Sequence, residues 1–226
     1  MAYKNSLKMD QLIFKFPFAK KYYEQDFYVS SNNFSAFKLI ESWPNWPGKW
    51  LNIFGITGSG KTHLAKILEK KIKKIKLVDA KNINDRTIQE LNYLDCLIID
   101  SFKNNIDEKL FYSILNQSKQ LENYILINSH QSLNKMKFKL IDLNSRISSF
   151  IFFGIELPTD DLLKVIISKT LSEKQINVSP KISDFIIKNV ERSYEKMFKF
   201  LKDVDEFSLS TGKSININLI KKILKQ

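Results

Sequence analysis

Eight residues, GITGSGKT (55–62), join the apolar run LNIFG (51–55) to the stretch THLAKILEKKIKK (62–74). They match the spacing G-x-x-x-x-G-K-[ST] in full, between a predicted strand and a predicted helix, the context that the pattern requires. The chemistry follows from residue type. Glycines let the backbone wrap so that successive N–H groups point inward at an anion. Lys61 reaches outer phosphates, Thr62 offers a hydroxyl to Mg²⁺, and the helix N-terminus adds its dipole. The candidate contacts in and beside this loop are Gly55, Thr57, Gly58, Ser59, Gly60, Lys61, Thr62 and His63.

A strand feeding such a loop and helix calls for further strands. IKLVDA (75–80), CLIID (96–100), NYILINS (123–129) and IFFGIEL (151–157) are apolar runs of strand length. Helix-length segments separate them. DEKLFYSILNQSKQL (107–121) is amphipathic, and the pattern predicts a helix over 138–150. Alternation of this kind predicts a parallel five-stranded sheet with crossover helices. Residues 21–50 show aromatic and turn signals ending in WPNWPGKW. From Pro158 onward no strand pattern recurs. Thr159 and Ser179 are placed to cap helices, Pro180 stands at a first helical position, and further helices are predicted over 193–209 and 216–225. The expected organisation is a flexible tail (1–20), an α/β base (21–157) and a small all-helical lid (158–226).

Composition narrows the function classes. The chain has 226 residues, enough for one α/β domain with a helical appendage. No run approaches the roughly 20 apolar residues of a membrane span, and the N-terminal residues lack the pattern of a signal peptide. A cytoplasmic protein is expected. Cys96 is the single cysteine, so no disulfide can form within the chain, and with only His63 and His130 a zinc site is not expected. The net charge is +12, but the lysines are scattered and only Arg86, Arg146 and Arg192 are arginines. That dispersion reads as compositional bias, so direct sequence-specific DNA binding is not expected. In so Arg-poor a chain each arginine hints at a need for a permanently charged fork.

Asp100 closes the third strand about 40 residues after the loop and suits an acid that helps to hold Mg²⁺. Asn128 and Ser129, at the end of the fourth, could sense a γ-phosphate.

Together these features resemble the AAA+ ATPase fold. DFYVSSNNFSAFKLIESWPNWP (26–47), GSGKTHLAKI (58–67) and LNSRISSF (143–150) closely resemble the DnaA-related regulatory proteins, the Hda family, over essentially the whole chain. The resemblance implies a nucleotide, ADP or ATP, with Mg²⁺ held by Thr62 and Asp100. It places Tyr28, Val29 and Asn33 around the adenine. It makes Arg146 an arginine finger acting in trans. It puts a peptide for the DNA polymerase sliding clamp at Gln11, Leu12, Phe14 and Phe16, with phenylalanines where the usual version is Leu-rich. Two positions depart from the initiator pattern. Asp100-Ser101 replaces paired acids, and Glu195, flanked by Arg192 and Lys196, stands where a sensor arginine is expected. Both departures point to weak or no intrinsic ATPase activity and to nucleotide, ADP by preference, held as a structural ligand.

The function implied is a regulator that docks on the sliding clamp and stimulates ATP hydrolysis by the initiator DnaA, preventing re-initiation of replication. A homodimer is left open. The alternative is a DNA-remodelling AAA+ ATPase such as a helicase loader.

Overall fold

A computed structural model describes residues 27–212 and 214–224. Five strands form one sheet: β1 (Trp50–Gly55), β2 (Ile75–Asp79), β3 (Cys96–Phe102), β4 (Tyr124–Ser129) and β5 (Ile151–Ile155). Their spatial order is β2-β3-β4-β1-β5, and every pairing is parallel. The expected five-stranded parallel α/β sheet is therefore present.

Each strand divides its side chains between two cores because successive residues point to opposite faces. Leu97 and Ile99 of β3, with Ile125 and Ile127 of β4, face one core. Cys96 and Ile98, with Leu126, Leu51 and Ile53, face the other. Helices α1 (Phe34–Glu41) and α2 (Lys61–Lys71) cover the second core through Ala36, Leu39, Ile40, Leu64 and Leu68. Helices α3 (Asp85–Glu90), α4 (Glu108–Gln120) and α5 (Ile141–Ile147) cover the first, chiefly through Phe111, Ile114, Leu115, Leu143 and Ile147. Burial of Cys96 pushes its thiol pKa upward and leaves it a small apolar side chain.

The remaining helices are α6 (Asp160–Ser172), α7 (Pro180–Asn189), α8 (Tyr194–Thr211) and α9 (Ile217–Ile223). They build a separate core. Leu163, Ile167 and Leu171 repeat every four residues along α6 and pack with Ile186, Met197, Leu201, Val204 and Ile220. The chain divides into two compact units. One holds the described residues up to Leu162 together with Ser193–Glu195; the other holds Leu163–Arg192 and the described residues from Lys196 onward.

Several boundaries differ from expectation. The helix predicted over 138–150 forms only at Ile141–Ile147. Ahead of it, Glu108 accepts the N–H groups of Lys139 and Leu140, so those donors serve another helix. α1 falls in the segment predicted to be turns. Its apolar signal, Ala36, Leu39 and Ile40, spans little more than one turn. Thr159 does cap, its Oγ1 accepting the Leu162 N–H at 3.3 Å. Ser179 makes no side-chain cap bond; its carbonyl accepts from Ile182 and Ser183 instead.

Candidate functional site

Because all five strands run the same way, their carboxyl ends share one edge, where open α/β sheets place ligands. β1 runs into the glycine loop there, with the ends of β3 and β4 to one side. In the loop Gly58 has φ +82° and Gly60 φ +97°, left-handed values that disfavour any side chain. Gly60 occupies the N-cap of α2, leaving the helix's first N–H groups without a side-chain acceptor.

Lys61 folds back over the loop. Its Nζ donates to the carbonyls of Gly55 (2.7 Å) and Ile56 (2.9 Å) and to Ser59 Oγ (3.3 Å). Burial lowers its pKa, and the nearby Asp100 carboxylate opposes that shift. Thr62 Oγ1 donates to Asp100 Oδ2 at 2.8 Å, and Asn128 Nδ2 donates to Asp100 Oδ1 and to the Lys61 carbonyl, each at 3.0 Å. So Lys61, Thr62, Asp100 and Asn128 lie in one connected cluster. The Asn128 Oδ1 is buried and has no hydrogen-bond partner. A buried acceptor left open costs about 1–3 kcal/mol.

Among the described residues no group of three or more His, Cys, Asp or Glu could cage a metal. One hydroxyl and one carboxylate are the hard oxygen donors that Mg²⁺ takes when phosphates and water complete its shell. Residues and cofactor fit in that sense. Ser101, where a second acid would stand, is exposed, with φ +59° at an irregularity in the β3–β4 pairing.

The segment before α1 meets the loop from the side. Asn33 spends its amide on its own turn, accepting the Ser30 N–H at 2.9 Å and donating to the Tyr28 carbonyl at 3.0 Å. It thereby shapes the loop that displays Tyr28, which is 43% exposed, and Val29. Three residues absent from the sequence-based expectation complete the surroundings. Phe27 lies against Gly60, stacks on Phe37 at 5.6 Å and meets the His63 ring edge-on at 5.3 Å. Asn32 donates to the Tyr194 hydroxyl at 2.6 Å and to the Glu156 carbonyl at 3.3 Å. Tyr194 in turn packs its Cβ over Gly58, and the Glu195 backbone follows beside it. Burial raises the Tyr194 pKa, and the bond from Asn32 acts against that. Phe27 and Asn32 lie in the stretch 26–47 that carries the family resemblance, whereas Tyr194 carried no motif signal.

Behind the site, Asn52 sits fully buried in β1. Its Nδ2 donates to the Ile127 carbonyl and Ser129 Oγ, both at 2.9 Å, and its Oδ1 accepts the Leu133 N–H at 3.0 Å. It ties the end of β4, the central strand, and the segment after it to β1. A polar residue inside LNIFG was the available signal.

Arg146 lies on α5, half-buried, with its Nε–H donated to Asn116 Oδ1 on α4 at 2.7 Å. Gln11, Leu12, Phe14 and Phe16 lie outside the described residues. No helix among those described is long and apolar enough to cross a membrane.

Residues 160–224 match the family model described as Hda, lid domain. All of the chain aligns, at 27% identity, with the chromosomal replication initiator protein DnaA of Buchnera aphidicola, spanning 55% of that protein's length. Domain III of the Thermotoga maritima replication initiation protein DnaA has the same fold: TM-score 0.75 at 18% identity, covering 93% of this chain and 98% of that one. AMPPCP-bound DnaA from Aquifex aeolicus gives 0.68 at 20% identity, over 86% and 68%. Sheet order, phosphate-loop geometry, lid match and sequence similarity converge: the chain has the AAA+ fold and is related in sequence to DnaA and, through its lid, to Hda.

Proposed function

We propose that this chain holds nucleotide in its own loop and stimulates ATP hydrolysis by the replication initiator DnaA, working while docked on the DNA polymerase sliding clamp. The observation that carries the proposal is the uneven equipment of its site. Lys61, Thr62, Asp100 and Asn128 are joined in one cluster at the loop, a set that suits phosphates and Mg²⁺, yet the position beside Asp100 is an exposed serine. A site that grips phosphate without a second acid suits a resting ligand, ADP by preference, rather than rapid turnover. Binding of AMPPCP by the Aquifex aeolicus relative supports a nucleotide here.

In this function Lys61 turns from the Gly55 and Ile56 carbonyls to the outer phosphates, while Thr62 and Asp100 face the metal. Bound nucleotide would supply negative charge, which Lys61 and the Mg²⁺ held by Thr62 and Asp100 would neutralise. Tyr28 and Val29 border the base. Arg146 acts elsewhere, in the nucleotide site of a DnaA subunit. There it stabilises charge on the transferring phosphoryl group, a contribution of roughly 10³–10⁵ in rate for arginine fingers. Gln11, Leu12, Phe14 and Phe16 are the proposed clamp contacts, in an extended peptide that docks apolar anchors. Hydrolysis leaves the initiator in its ADP form and prevents re-initiation.

The test is ATP hydrolysis by purified initiator, with and without this protein and DNA-loaded clamp, comparing wild type with Arg146→Ala. Stimulation that disappears in a variant still able to bind nucleotide is the expected result. DNA-dependent hydrolysis by this protein alone, with no effect on the initiator, would overturn it in favour of a remodelling ATPase of the helicase-loader kind.

A further inference from the structure

The helix that carries Arg146 is too short to hold a direction by itself. α5 has seven residues, and isolated helices shorter than about 12–15 residues are marginal in water. Its N-cap position is Leu140, which makes no side-chain cap bond. The neighbouring α4 supplies what is missing at both ends. At the start, Glu108 accepts the Lys139 N–H at 3.0 Å and the Leu140 N–H at 2.7 Å. These two backbone donors, Lys139 foremost, hold the Glu108 carboxyl below the usual carboxylate range. Near the other end, Asn116, about two turns further along α4, takes the Arg146 Nε–H at 2.7 Å. Leu143, between the two ties, and Ile147, just after the second, are buried in the core that Phe111, Ile114 and Leu115 of α4 also enter.

The kind of acceptor matters. A guanidinium has five N–H donors in one plane. Using Nε–H locally fixes that plane and leaves the four Nη donors, which no other described residue engages. A carboxylate in place of Asn116 would hold the same N–H but would offset the charge. A neutral amide orients the group and leaves its full charge for an oxyanion elsewhere.

We propose that Asn116 is a positioning residue for Arg146, fixing the guanidinium plane so that both Nη groups meet a phosphate oxygen in a partner's nucleotide site, while Glu108 anchors the helix that presents it. This rests on the trans-acting role proposed above.

The experiment uses the full chain with initiator, ATP and DNA-loaded clamp, and the variants Asn116→Ala and Asn116→Asp. For Asn116→Ala, maximal stimulation is expected to fall roughly 5- to 100-fold, as for a misplaced catalytic group. The half-saturating concentration should stay within about twofold, because docking is untouched. Asn116→Asp is expected to lose stimulation too, for a different reason: it keeps the Nε bond but offsets the guanidinium charge. A second readout separates the two. The chain has three arginines, so Arg Nε–H signals in ¹⁵N spectra are few, and that of Arg146 is identified by its loss in Arg146→Lys. Its slow exchange is expected to be lost in Asn116→Ala and kept in Asn116→Asp. Should Asn116→Ala stimulate like wild type, keep slow Nε exchange, or change only the half-saturating concentration, Asn116 has no positioning role. If Asn116→Ala is normal while Arg146→Ala is inert, the trans-acting proposal stands and only the positioning falls. If wild type does not stimulate at all, both fall. Thermal midpoints close to wild type show that the variants fold.

Discussion

Thr62 Oγ1 donates a 2.8 Å hydrogen bond to Asp100 Oδ2, joining the first turn of α2 to the end of β3. The other Asp100 oxygen takes the Asn128 amide at 3.0 Å, so the carboxylate is oriented from two directions. Asp100→Asn keeps the shape and removes the charge. Nucleotide affinity with Mg²⁺ is expected to fall roughly 10- to 100-fold, the usual effect of disturbing a metal's surroundings. Affinity measured in EDTA should change little. Titration calorimetry under the two conditions makes the comparison, and an equal loss in both would remove Asp100 from the metal.

The half-buried Lys61 ammonium gives a pH signature. Its pKa in the folded chain lies below the ordinary 10.5, because burial disfavours the charged form more than Asp100 restores it. The folded chain therefore binds fewer protons than the unfolded chain in the interval between the two values. The associated stability is fully present above about pH 10.5 and is lost as pH falls through the depressed folded value. Tyr194 acts in the opposite sense. Its raised pKa means that its contribution is present below about 10 and is lost as pH rises through the folded value. Urea unfolding of Tyr194→Phe, with and without Lys61→Met, isolates the lysine. Stability of the single variant is expected to rise towards pH 10.5 relative to the double variant.

Two glycines of the loop should resist substitution to different degrees. A Cβ on Gly58 would lie 2.7 Å from the Tyr194 Cβ, and one on Gly60 would lie 2.8 Å from Phe27 Cε2. Both positions are left-handed, so either alanine costs about 1–2 kcal/mol in backbone strain alone. The ring edge of Phe27 can swing away, whereas a Cβ moves only with its backbone. Gly58→Ala is expected to be the more destabilising in chemical denaturation, and a smaller effect than Gly60→Ala would contradict this packing.

Asn52 is held by three hydrogen bonds inside the sheet. Asn52→Val fits a strand but abandons the buried Leu133 N–H. The expected loss is about 2–3 kcal/mol, the cost of unsatisfied buried polar groups, read as a lower unfolding midpoint. Hydrogen exchange should locate faster opening at residues 129–136, just after β4.

Much of the fold was legible because strands and helices write their periods into local sequence. The five apolar runs became the five strands, and the loop motif stood where a strand must turn into a helix. Legibility failed where the signal was shorter than the element's own period could establish. α1 has eight residues and reads as turn. α5 was expected to begin before Ile141, although Glu108, some thirty residues away, takes the preceding N–H groups. The cap expected at Ser179 failed for a related reason: a residue type permits a side-chain bond, and the surrounding geometry decides whether it forms.

The site divides along the same line. Sequence alone determined the phosphate loop, because its chemistry depends on glycines, a lysine and a threonine at fixed local spacing. It also determined that Asp100 is followed by serine, and that Arg146 is one of three arginines. Tertiary structure decided which distant groups meet them. Parallel strands bring Asp100 and Asn128 to Thr62 and Lys61, Asn32 reaches Tyr194 across 162 positions, and Asn116 takes hold of Arg146. Those contacts are set by the packing of whole elements. An asparagine carries no local mark of the partner that its amide will find.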